Sequence, residues 1–210
     1  MKMEGPRAHI SRISNNDAAL RRAVRIVAML NLAYFSVEFG VALAIGSVSL
    51  FADSIDFLED AAVNGLILIA LNWNPHRRSL VGMVLATILL APSLATLWTA
   101  WEKIVAPLPP APIPLSLAGG GALAVNLFCA GLLARFRTHS GSLTRAAFLS
   151  ARNDALANVA IVAAGLVTIV TLSAWPDLLV GLGIFFMNLD AAREVYTTAR
   201  RERSLAVGQP

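Results

Sequence analysis

The sequence predicts an all-α membrane protein with six transmembrane helices and both termini cytoplasmic. Three observations predict it. The 210 residues are 57% hydrophobic and 14% charged, with a mean hydropathy of +0.66, which leaves too little polar surface to clothe a soluble globule. The apolar residues gather into six runs of about 20, the length an α-helix needs to cross a hydrocarbon core about 30 Å thick. The basic residues alternate from loop to loop.

The opening segment, MKMEGPRAHISRISNNDAALRRAV, is polar and basic for too long to be the n-region of a cleavable signal peptide. Residues 1–22 therefore read as a cytoplasmic tail, and the first apolar run should stay as a helix. The six runs lie near residues 24–45, 49–72, 79–102, 114–134, 145–171 and 177–198. Together they make one transmembrane domain over 23–199, followed by a short cytoplasmic tail at 200–210. Gly46-Ser47, Asn74-Pro75, the Pro-rich VAPLPPAPIP and Ser173 to Pro176 supply the breaks, each a turn signal.

Orientation follows from Lys and Arg. Six of the 17 lie in the first 25 residues, and Arg77, Arg78, Arg135, Arg137 and Arg145 follow runs two and four. Arg193, Arg200, Arg201 and Arg203 close the chain, while the other loops hold only Lys103 at a helix end. The positive-inside rule then sets both termini in the cytoplasm. The formal charge of +4 belongs to loops at an anionic membrane surface rather than to a nucleic-acid interface. One Cys, Cys129, excludes an intrachain disulfide framework and reads as a small buried hydrophobe.

Against this background ADSIDFLED, residues 52–60, packs four acids into eight positions. On a helix Asp56 and Asp60 share a face, with Asp53 about one turn before and Asn64 one turn after. Ionised carboxylates at bilayer depth are costly without water, a cation or a partner, so the stripe should face a bundle interior or an aqueous cavity. Run five repeats the spacing with Ser150, Asp154 and Asn158. If the two helices pack face to face, three carboxylates meet, a set better suited to a divalent cation than to one another. Protons and metal would then compete for the same oxygens.

The segment NLAYFSVEFGVALAIGSVSLFADSIDFLED resembles the first two helices of the cation diffusion facilitators. The resemblance runs on through AWEKIVAP, Asn126, LTRAAFLSARNDALANVAIVAAGL and WPDLLVGL, covering about residues 20 to 200. It implies a six-helix, homodimeric exporter of divalent transition metals driven by inward proton flow, with a tetrahedral site between helices two and five. The family's helix-two pair falls on Asp56 and Asp60, and its helix-five Asp falls on Asp154. Where the family has a His, this chain has Ser150, a poor metal ligand; water, Asn153 or Asn158 could complete the shell. An all-oxygen set shifts preference towards manganese or iron(II), and zinc-like cations, with cadmium and cobalt, stay first only as the family's common cargo. The divalent ion is cargo; no cofactor is expected.

Two further departures stand out. Arg152 occupies a position that is apolar in the family; by helical periodicity it should point away from the site, towards Glu38, Glu59 or a neighbouring subunit. The family's cytosolic domain after helix six does not follow the sixth run. Asp53, near the outer end, reads as a solvated ion-access group, Glu59 as an off-stripe ion-pair partner, and Glu38 as a structural acid. His9, His76 and His139 read as solvated tail and loop residues, and Gly119-Gly120-Gly121 as a place for close helix packing. No Ser-His-Asp set, phosphate loop or basic-aromatic patch supports an enzyme or a nucleic-acid binder. Two other readings remain: a proton-coupled carrier of a non-metal substrate, and a non-transporting membrane subunit that binds a partner. A bacterial plasma membrane is the expected location.

Overall fold

The structure, a computed structural model, describes residues 6–70, 94–134, 136 and 142–189, with backbone alone at 6–17, 70 and 142–150. The described residues are helical apart from short turns and connections, without strands. They form α1 (Pro6–Ile45), α2 (Val48–Ala70), α3 (94–105), α4 (Pro112–Ala134), α5 (Ser142–Thr171) and α6 (Trp175–Leu189). The expected residues 79–93 and 190–198 of runs three and six, and both His76 and His139, lie outside this description.

Local chemistry accounts for the ends. Pro6 and Pro112 open α1 and α4, where a missing N–H costs nothing. The helix thus begins well inside the segment read as an N-terminal tail, because that segment, though polar, contains no breaker after Pro6. At the other end of α1, Gly46 adopts φ 62° and Ser47 N donates to Ala42 O at 3.0 Å, a Schellman closure in which glycine escapes the steric cost of the left-handed region. Helix α5 ends in the same sense at Leu172, φ 51°, whose N–H reaches Thr168 O at 2.9 Å.

Three of the described segments are long and apolar enough to span a membrane: Ala18–Ile45, Pro112–Ala134 and Ala151–Thr171. Helix α2 has the length, 23 residues, but its four acids remove it from that class by composition. Side-chain placement is the inverse of a soluble protein. Met29, Leu43, Leu117, Phe128, Leu156 and Val170 face outward, whereas Asn31, Glu38, Asp53, Asn64, Asn126 and Asn158 are buried. In hydrocarbon that arrangement satisfies both sets, since polar groups find partners only inside the bundle.

Helix α1 packs along α2 and α4 along α5; α1 also meets α4, and α2 meets α5. Two larger apolar cores result, beside a smaller cluster of Val48, Ala100 and Leu178. One joins Ala42, Leu50, Phe51, Ile55, Leu115, Ala118, Ile161 and Ile184. The other joins Val24, Val27, Cys129, Ala130, Leu133 and Ala151. The glycine run of α4 works as expected at two of its three positions. A Cβ on Gly119 would fall 2.7 Å from Ile161 and one on Gly121 would strike Tyr34, whereas Gly120 faces open space.

Candidate functional site

Each of four helices leaves the first core and enters the second through polar residues. On α1 these are Asn31, Tyr34 and Glu38, one face by their 3-4 spacing. On α2 they run from Asp53 to Asn64; on α4 the residue is Asn126, and on α5 they are Asp154 and Asn158. The result is a polar layer between the two apolar cores. Glu38 and Asp53 are fully buried in it, and Asp56, Glu59, Asp60 and Asp154 are partly buried.

The contacts within the layer settle how α2 and α5 face each other. Asn158 Nδ2 donates to Asp53 Oδ2 at 2.5 Å, Ile161 shares the first core with Leu50 and Ile55, and Ala151 shares the second with Ile67 and Leu68. As residue numbers rise on α2 they fall on α5, so the helices run antiparallel. The same register sets position 150 level with position 60. The two ladders of equal spacing therefore match head to tail, a relation that spacing alone leaves open.

Asp56 is partly buried in the field of Asp154 across the interface and of Asp53, Glu59 and Asp60 on its own helix. Asp60 Oδ2 accepts from Asn31 Nδ2 at 3.3 Å, and Asn31 Oδ1 receives the thiol of Cys129 at 3.8 Å. Asn64 Nδ2 turns back to Asp60 O at 2.8 Å. Asp56, Asp60 and Asp154 thus share one layer. Among the described residues, however, no three His, Cys, Asp or Glu side chains are already gathered at the spacing that encloses a metal ion.

Several expectations need correction. Asp53 is not solvated: it is fully buried, held by Asn158. Asn158 is committed at both ends of its amide, since its Oδ1 also accepts from Asn126 Nδ2 at 2.9 Å. Asn153 lies on an exposed face, where its Oδ1 accepts from Arg152 Nη2 at 3.3 Å. Arg152 is likewise exposed, pointing outward as periodicity requires, but it does not reach Glu38, whose carboxylate is fully buried and takes no hydrogen bond. Ser150 is placed by backbone alone within α5.

Sequence reasoning missed Asn31, whose signal was a polar residue seven before Glu38 inside an apolar run. It also missed the function of Asp177. This fully buried acid at the start of α6 accepts Ser47 Oγ and Ser49 Oγ at 2.6 Å each, Val48 N at 2.9 Å and Ser49 N at 3.1 Å. Ser47 Oγ in turn accepts Leu50 N at 3.1 Å. The donors that a helix start leaves unsatisfied are thus shared between a serine N-cap and an acid from another helix. Lys103 Nζ donates to Gly46 O in the same corner, so α3 also fastens the turn. Helix α2, which carries the acids, is fixed at its first turn by α3 and α6.

A search of curated proteins finds no match to this chain. The cation efflux transmembrane domain model matches residues 24–202, nearly the whole of it, and spans every helix that contributes to the polar layer. The chain therefore belongs to the cation efflux family, whose members are cation transporters and not enzymes.

Proposed function

We propose that this protein exports a divalent metal cation in exchange for protons, as a homodimer, from the cytoplasm of a bacterium across its plasma membrane. Asp56, Asp60 and Asp154 hold the cation. The observation that carries the reading is the antiparallel register of α2 and α5, held by Asn158 on Asp53, which brings Asp154 opposite Asp56 in a layer that also holds Asp60. Three acids in one polar layer repel unless protonated or neutralised by a cation. On this reading the arriving ion draws them to ligand distance and displaces their protons; protons returning from the other side release it. Oxygen ligands alone suit manganese or iron(II) as well as zinc, and water or the position of Ser150 completes the shell.

The test is uptake into proteoliposomes under an imposed pH gradient, metal by metal. Uptake should reverse with the gradient, and both Asp154→Ala and Asp60→Ala should abolish it while the protein still folds. Uptake that survives Asp154→Ala refutes the site; proton flux indifferent to every metal tried points to a non-metal substrate.

A further inference from the structure

Beside the three acids of the transport reading, the layer contains a carboxyl pair which that reading leaves unused. Glu38 of α1 and Asp53 of α2 are both completely buried and lie within hydrogen-bonding range of each other. Three of their four oxygens, both of Glu38 and Oδ1 of Asp53, find no partner. Only Asp53 Oδ2 is satisfied, by Asn158.

Two ionised carboxylates cannot bond to each other, since each only accepts. Nor does the surrounding structure compensate them. From α1, the Tyr34 hydroxyl donates instead to Ala118 O at 2.7 Å. From α2, the charged neighbours are Asp56 and Asp60, both acids. From α5 comes the neutral Asn158, itself held by Asn126 of α4. Among the described residues no Lys, Arg or His acts on either group. Two buried negative charges without a cation cost far more than removing one of them by protonation.

We propose that Glu38 and Asp53 form a proton-binding site with one resident proton, carried by Glu38 and donated to Asp53 Oδ1. A single O–H converts one acceptor into a donor, joins the two carboxyls and lowers their joint charge from two to one. The hydrogen-bond order fixes which group holds it. Asp53 already receives Asn158, as a carboxylate does, and Glu38 receives nothing. The chain then runs Asn126 to Asn158 to Asp53 and, from the other side, Glu38 to Asp53, tying α4, α5, α2 and α1 together. Because Glu38 and Asp53 are completely buried, whereas Asp56, Asp60 and Asp154 are only partly so, the proton of the pair stays in place and is not among those exchanged with cargo. This inference does not depend on what is transported.

Infrared difference spectroscopy of the full chain in lipid tests it without any transport measurement. Wild-type protein should show the C=O stretch of a protonated carboxylic acid, shifted in D2O and persistent from about pH 6 to about pH 9, well above the ordinary carboxylate range. Glu38→Gln, which keeps the shape and a donor towards Asp53, should remove that band. Asp53→Asn should move it, because the acid's partner changes from carboxylate to amide. Asp154→Ala should leave it in place. No such band in wild type, a band untouched by both Glu38→Gln and Asp53→Asn, or one that titrates away across that pH range overturns the proposal. Should Glu38→Gln fail to fold, the wild-type band and its response to Asp53→Asn still decide.

Discussion

Replacing Asp177 by Ala tests whether the α6 acid is what holds the start of α2. The carboxylate accepts two backbone N–H groups and two serine hydroxyls, all buried. Without it the hydroxyls of Ser47 and Ser49, 3.4 Å apart, can turn to each other, but the N–H groups of Val48 and Ser49 lose their acceptor. A buried donor left unpaired costs about 1–3 kcal/mol, so the two together cost roughly 2–6 kcal/mol. Some of that is offset because a buried carboxylate no longer has to be desolvated. A net loss of about 3 kcal/mol remains, in line with the removal of one side of a buried charged network. For a protein of this size each kcal/mol lowers Tm by about 2–4 °C, so a fall of roughly 6–12 °C is expected. Thermal unfolding in detergent, followed by far-UV circular dichroism, measures it. Asp177→Asn should fall between, because its single oxygen serves the hydroxyls while its amide faces other donors. Ser47→Ala combined with Asp177→Ala should cost less than the sum of the two, by about 1 kcal/mol, since the residues share one network. A fall below about 2 °C for Asp177→Ala, or strict additivity in the cycle, would refute the reasoning.

Three further outcomes follow from the same structure. Gly181 lies one turn beyond Asp177, and a Cβ there would sit 2.7 Å from Val48 C and 2.8 Å from Ser49 N; both are backbone atoms, so Gly181→Ala should cost about 1–3 kcal/mol in the same melting assay. Leu172 is 75% exposed and held at φ 51°, so Leu172→Gly should raise stability by up to about 1 kcal/mol, the relief of left-handed strain less the greater freedom of an unfolded glycine; an unchanged or lower Tm counts against the αL cap. Ser150→His should raise zinc affinity in calorimetry by adding an imidazole nitrogen, most clearly at neutral pH and less as acid protonates it; unchanged affinity would show that position 150 does not face the ion.

The membrane class, the helix breaks and the acidic stripe of α2 are legible in the sequence because they are local. Hydropathy follows from run length, Gly46-Ser47 from backbone stereochemistry, and the 56/60/64 face from 3.6 residues per turn. The antiparallel register of α2 and α5 is not local, and neither are the roles that depend on it. Asp53 reads as solvated by its nearness to a helix end, yet α5 covers it, because Asn158 returns to it across 105 positions. Asn158 reads as a ligand by its spacing from Asp154, yet the amide is used between helices. Asp177 shows the limit best: an acid in the first turn of α6 suits that helix's own dipole, and only packing turns it to the first turn of α2. Periodicity along one helix determines which residues share a face. Which faces meet, and at what height, depends on how the bundle closes its apolar cores, and that is decided by tertiary structure alone.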